Sequence, residues 1–252
     1  MTEELVISEL SVTAWLLAFS ATFIQGLSKS GIKGTAVLSV TLMALALGAR
    51  QSTGLLVPML VVGDIFAVIY YHRHAQWPYI WKFLPWMLAG ILIGVYAGMD
   101  LPETVFKWAM AAIIIGSVAV MLWWDLRKSE RVPSHWMFAG FVGTLAGFTT
   151  MVGNLAGAFS NIYFLAMRLP KKAFIGTAAW LFLIINVFKL PFHIFVWKTI
   201  DLNVLQVNLR LLPALALGLL TGIWLVKRIR EVFFRRLILI LTALGALLML
   251  LR

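Results

Sequence analysis

The chain has no cysteine, and of its 252 residues only 10 are acidic and only 12% are charged. The missing thiols exclude a disulfide scaffold and cysteine redox chemistry. The histidines, His72, His74, His135 and His193, are scattered near predicted segment ends, where they read as interfacial, without metal-ligand spacing, so neither a metal nor another cofactor is expected. A Ser/His/Asp set, a His-Glu-x-x-His helix and a nucleotide-binding loop are also missing. Lys33-Gly34-Thr35 echoes the end of Gly-x4-Gly-Lys-Ser/Thr, but the required order is not there. These absences argue against an enzyme. What is abundant is apolar surface: 62% hydrophobic residues and a mean hydropathy of +0.95 lie far outside the range of soluble domains and indicate an integral membrane protein.

Ten apolar segments are expected at about 11–27, 34–49, 53–71, 83–99, 103–124, 135–148, 155–167, 173–196, 203–226 and 232–251. They are continuous rather than alternating, which favours an all-α polytopic protein of eight to ten helical segments over a barrel. The acidic start, with Glu3, Glu4 and Glu9, is the wrong charge pattern for a cleaved signal, so the first helix is expected to stay. The net charge of +11 comes from residues dispersed among short loops, which argues against nucleic acid and for membrane orientation. With the N-terminus outside, most of the 21 Lys and Arg fall on the inner side, so both termini are expected outside, as for a multi-pass protein of a bacterial inner membrane.

The chain repeats itself. Lys82, Pro85, Gly90 and Gly94 line up with Arg210, Pro213, Gly218 and Gly222, while Gly31, Gly54 and Asp64 line up with Gly153, Gly176 and Asn186. Residues 1–128 and 129–252 are therefore read as two repeats of one membrane domain. Each half has an odd number of crossings, so the second is inverted, the architecture of many secondary transporters with a site near the midplane.

Each half opens with two segments shorter than the roughly 20 residues a span needs, and so reads as a broken or re-entrant hairpin. The first tip is Gln25-Gly26-Leu27-Ser28-Lys29-Ser30-Gly31-Ile32-Lys33-Gly34-Thr35, and its counterpart runs from Ala146 through Gly147, Thr149, Thr150 and Gly153 to Asn154. Irregular backbone within a membrane is tolerated where it lines a cavity, and helices starting near Gly34 and Asn154 would present free N–H groups to an anion. Gln25, Gly26, Ser28, Lys29, Ser30, Gly31, Lys33, Gly34, Thr149, Thr150, Gly153 and Asn154 are the candidate substrate contacts. Against this stands a plainer reading, in which the glycines only permit close packing and the lysines mark a cytoplasmic loop.

Asp64 is the one acidic residue deep in a segment, which makes it a proton-coupling candidate, although pairing with a lysine would also explain it. Asn186 is its repeat partner. Lys189, beside Pro191, either faces the cavity or snorkels to the interface. Asn161 and Gln25 suit interhelical hydrogen bonds, and tryptophans such as Trp77, Trp81, Trp86, Trp136 and Trp197 read as an aromatic belt.

The tip Gly26 to Gly34, the Gly54-Leu-Leu-Val-Pro58 stretch, Gly63-Asp64 and the duplicated Pro-x4-Gly-x3-Gly at Pro85 and Pro213 together resemble the sulfite exporter TauE/SafE family, also called the toluene sulfonate uptake permeases. The resemblance covers essentially the whole chain. It implies a permease of two homologous halves moving a small anion such as sulfite, a sulfonate or a related organosulfur compound. Lys29 and Lys33 depart from the family's commoner, more glycine-rich tip. Proton coupling and a homodimer remain open, and a passive anion channel, a non-transporting membrane subunit and an intramembrane enzyme are the alternatives.

Overall fold

The computed structural model describes residues 10–32, 35–126, 136–167 and 169–228, and among these there is no strand. The α-helices, in chain order, are α1 (Val12–Lys29), α2 (Thr35–Leu47), α3 (Ala49–Tyr71), α4 (Trp77–Met99), α5 (Glu103–Leu126), α6 (Trp136–Gly153), α7 (Ala156–Ala166), α8 (Lys171–Pro191) and α9 (Leu202–Arg228). They match the first nine expected segments in order. The tenth expected segment, Lys33 and Gly34 lie outside the described residues.

Among the described residues, five helical stretches are long and apolar enough to cross a membrane: Ala49–His74, Trp77–Met99, Trp136–Gly153, Lys172–Val196 and Leu202–Leu225. Large apolar side chains such as Leu16, Tyr96, Phe141, Phe195, Leu209 and Leu220 are exposed around the bundle. Such a surface is unfavourable in water and suits a hydrocarbon solvent. Helix α2, with 13 residues, and α7, with 11, are too short to span.

The helix ends follow local chemistry. Ser11 caps α1, its side chain accepting from the Ala14 N–H at 3.1 Å. Gly31 ends α1 at φ 112°; its N–H donates to Ser28 O and that of Ile32 to Leu27 O, the Schellman arrangement that needs a residue without Cβ. Helix α4 starts at Trp77, before residue 83, where hydropathy alone placed the boundary, because Pro78 near its first position is already suited to a helix start. Pro58, Pro85 and Pro213 lie inside α3, α4 and α9, and Pro191 closes α8 before a π-helical turn at Phe192–Val196.

Two close crossings frame the bundle, α4 on α6 and α1 on α9. Both are made through glycines. Gly90 of α4 lies against the Thr144 carbonyl and Gly147 of α6 against that of Met87; Gly26 of α1 lies against Leu215 and Gly218 of α9 against Phe23. Small residues let backbones approach where no hydrophobic force drives helices together in lipid. Helices α3 and α8 pack on each other between these crossings.

Three expectations are corrected. The second tip is not an extended break: Gly147, Thr149, Thr150 and Gly153 are helical, and the interruption is confined to Asn154 and Leu155. Asn154, at φ 55°, terminates α6, its N–H bonded to Thr150 O at 3.0 Å, so one left-handed residue does what a longer glycine stretch was expected to do. Trp197 is not in a surface belt but buried, with its indole N–H on Val95 O at 3.2 Å. His193 is buried rather than interfacial, its Nδ1 2.8 Å from Thr199 Oγ1.

Candidate functional site

The ends of α1 and α6, the starts of α2 and α7, and the middles of α3 and α8 enclose a cavity of about 110 Å³. Ala36 and Val37 bring the first turn of α2 to its wall, and Ala156 and Gly157 the first turn of α7. The early N–H groups of a helix have no partner within it and lie at the positive end of its dipole, so two such ends give this wall an anion-favouring character.

Of the expected contacts, Gln25, Ser28, Lys29, Gly31, Thr150, Asn154 and Asn186 line the cavity, with Asp64 beside them. Gly26 instead packs on α9, and Ser30 donates to Leu27 O at 2.7 Å with its side chain against Gly222. Thr149 donates to Leu145 O of its own helix at 2.8 Å. Neither these three nor Gly153 belongs to the lining. The lining also includes Asn161, Phe174 and Phe182, together with the starts of α2 and α7. The sequence signal for the helix starts was their position just after each break, but an alanine or glycine carries no chemistry of its own to mark it.

A buried polar network crosses the floor of this cavity. Lys29 Nζ donates to Asp64 Oδ1 at 2.5 Å, and Asn186 Nδ2 to Asp64 Oδ2 at 2.7 Å. Gly63 makes room for the first contact, since a Cβ there would meet Lys29 Cγ at 2.9 Å. The lysine stem thus passes over α3 where a larger residue would block it. The ammonium also lies 5.3 Å from the centre of the Phe182 ring, a favourable site for a cation. Lys29 is not a loop charge; it is paired with an internal carboxylate.

Lys189 lies behind the wall rather than on it. Its ammonium donates to Thr150 O at 3.0 Å, Thr150 Oγ1 at 3.1 Å and Asn154 Oδ1 at 2.6 Å. Those bonds use all three of its donors. Asn154 Nδ2 in turn donates to Thr53 O at 3.1 Å, tying the α6–α7 break to α3. The C-terminal carbonyls of α6 suit a cation at this place. Replacing Lys189 by Met should therefore strip three buried acceptors of their donor and lower unfolding free energy by at least about 1–3 kcal/mol, measured by denaturant titration in detergent. An unchanged midpoint would show that water replaces the ammonium.

A second cluster lies at the α3 start. Arg50 donates to Gly98 O at 2.9 Å and Leu101 O at 2.6 Å, sits 4.7 Å from the Phe106 ring centre, and reaches Glu103 at 3.9 Å. It ties α3 to the α4–α5 connection rather than serving the cavity. Among the described residues no group of three or more His, Cys, Asp or Glu could hold a metal.

The network counts two cations and one anion, all in the bundle interior: Lys29, Lys189 and Asp64. Such a set favours a further negative charge. No curated protein matches the chain, and no solved structure does. The family model described as sulfite exporter TauE/SafE matches residues 14–249, which spans the two short helix pairs, the cavity and both glycine crossings. The chain belongs to the sulfite exporter TauE/SafE family of membrane transporters.

Proposed function

We propose that this protein is a secondary transporter that carries a small oxyanion, sulfite or a related organosulfur compound, across a bacterial inner membrane, holding it in the cavity between the α1–α2 and α6–α7 breaks. The observation that carries the reading is the convergence on one small cavity of two helix starts, the Lys29 ammonium and several side-chain hydrogen-bond groups. Helix starts bind anions through backbone N–H groups, and the lysines add full charge.

In this reading the two halves are inverted repeats and the short pairs are hairpins that enter from opposite sides. Helix packing supports it: α1 with α9 mirrors α6 with α4, α2 with α3 mirrors α7 with α8, and α3 meets α8 at the centre. The Asp64–Asn186 hydrogen bond joins equivalent positions 122 residues apart. Rocking of one half on the other then opens the cavity to either side in turn. Asp64, which shares Lys29 with the cavity, is the candidate to take up a proton when the anion draws the ammonium away. Both termini lie on the outer side in this arrangement.

Purified protein in proteoliposomes should take up labelled sulfite or a small sulfonate saturably. Gly31→Leu forces a side chain onto a left-handed position, at a cost of about 1–2 kcal/mol, and displaces the end of α1. Its flux should fall at least tenfold with folded protein still recovered, and so should that of Lys29→Ala in whatever fraction folds, since that variant leaves the buried Asp64 carboxylate without its cation. Unchanged flux in both variants would remove the first break from the mechanism.

A further inference from the structure

Two atoms of residues on the cavity wall have no protein partner among the described residues, Gln25 Nε2 and Asn186 Oδ1. Gln25 is 1% exposed and Asn186 3%, so bulk solvent does not serve them. Buried polar atoms without a partner are uncommon and costly, and two on residues that line one small cavity point to a ligand that pairs with them.

The two atoms are of opposite kind. Gln25 Nε2, in the orientation its amide takes, donates, and Asn186 Oδ1 only accepts. The Asn186 amide cannot be turned to offer a donor instead, because its Nδ2 is held by the Asp64 carboxylate, which takes only donors. Lys29 spends one N–H on Asp64 and offers the cavity more; Lys189 has spent all of its own. A ligand that completes this wall accepts from Gln25 and Lys29 and donates to Asn186.

Charge leads to the same ligand. Counted with Lys29, Lys189 and Asp64 all ionised, the buried set is made neutral by one negative charge. A second would remain uncompensated, facing the Asp64 carboxylate and the Asn186 carbonyl oxygen, and a bare charge in such a place is expensive.

We propose that the cavity selects a singly charged oxyanion that still carries one ionisable proton, so that hydrogensulfite and not the sulfite dianion is the form recognised, with Asn186 Oδ1 accepting that proton's hydrogen bond and setting the specificity. This rests on the anion-transport reading above. The charged and titratable groups around Asn186 are Lys29 from α1, Asp64 from α3, and Lys189 and His193 from its own helix and the turn that follows; the α6–α7 break contributes the neutral Thr150 and Asn154. A test must therefore separate ionisation of the ligand from ionisation of these groups.

The full chain in anaerobic proteoliposomes is assayed across the second ionisation of sulfite with three anions. Sulfite changes charge in that range, methanesulfonate is a monoanion without a donor throughout, and sulfate is a dianion throughout. The expected KM for total sulfite is level below that ionisation and rises about tenfold per pH unit above it, because only the protonated fraction binds. Methanesulfonate should give a level and weaker KM, and sulfate should not compete. In Asn186→Leu the advantage of sulfite over methanesulfonate at low pH should shrink about five- to tenfold, as for one lost hydrogen bond. The wild-type profile decides the matter even where that variant fails to fold. A KM for total sulfite that stays level through the ionisation, sulfate competing as well as sulfite, or methanesulfonate following the same pH profile would each overturn the selection while leaving transport intact. Absence of saturable flux for all three would overturn the transport reading itself.

Discussion

Asp64→Ala should abolish the folded protein or lower its unfolding free energy by about 3–5 kcal/mol, the range found when one member of a buried ion pair is removed. The variant leaves the Lys29 ammonium without its carboxylate, Asn186 Nδ2 without its acceptor, and Lys189 in an interior with no negative charge nearby. Two cations would then lie in a space sheltered from water, and each raises the cost of the other. The loss should be specific to charge imbalance and not to lost volume. Lys29→Met combined with Asp64→Leu should therefore recover more than half of the stability lost by Asp64→Ala, since both charges go and apolar groups fill the space. Moving the carboxylate across the pair, with Asp64→Asn and Asn186→Asp together, should also restore folding, because the bond between α3 and α8 survives with its partners exchanged. Denaturant midpoints in detergent for the single and double variants form the cycle. A stable Asp64→Ala protein would mean that Lys29 reaches water, and the buried-pair account would fall.

The sequence made this pair visible only in part. An acidic residue deep in an apolar segment marks itself, because the membrane makes it costly, and Asp64 was legible for that reason; Asn186 was singled out only because it aligns with Asp64 at an offset of 122 residues. That they bond to each other needed α3 and α8 to meet at the centre, a long-range contact no local pattern encodes. Lys29 was ambiguous for a physical reason as well. A lysine at a helix end obeys the positive-inside rule whether it faces water or a carboxylate, and only the room left by Gly63 decides which. Lys189 was legible as an intramembrane charge, yet its partners are a helix-end carbonyl, a hydroxyl and an amide, none of which announces a cation in the sequence. The helices were largely legible because apolar run length is a strong signal in lipid. Their ends were less so, since Asn154 stops α6 with a single residue where glycines at 147 and 153 suggested a longer break.

Those glycines bear on the second large effect. Gly147→Leu should prevent α4 and α6 from docking, with a loss of more than about 3 kcal/mol and little folded protein recovered, which is beyond ordinary overpacking because the obstacle is backbone. A Cβ at Gly147 would collide with the Met87 carbonyl oxygen and lie 2.8 Å from Met87 C and 2.9 Å from Ile91 N. No rotamer of α4 moves these atoms aside, so the helices must separate, and the reciprocal contact of Gly90 with Thr144 opens with them. Gly218→Leu should do the same at the α1–α9 crossing, where the obstacle is the Phe23 carbonyl. Gly116→Ala and Gly157→Ala give the contrast, since a Cβ at either meets nothing within 4 Å among the described residues. Gly116→Ala should be neutral or stabilising by about 0.5–1 kcal/mol. Gly157→Ala should leave the midpoint equally untouched but narrow the cavity at the α7 start, and so change the KM for the anion. Thermal unfolding together with flux on the four variants thus divides glycines that hold helices together from one that borders the cavity. If Gly147→Leu unfolds like wild type, the close crossing does not hold the bundle, and the resemblance between the two glycine crossings loses its physical basis.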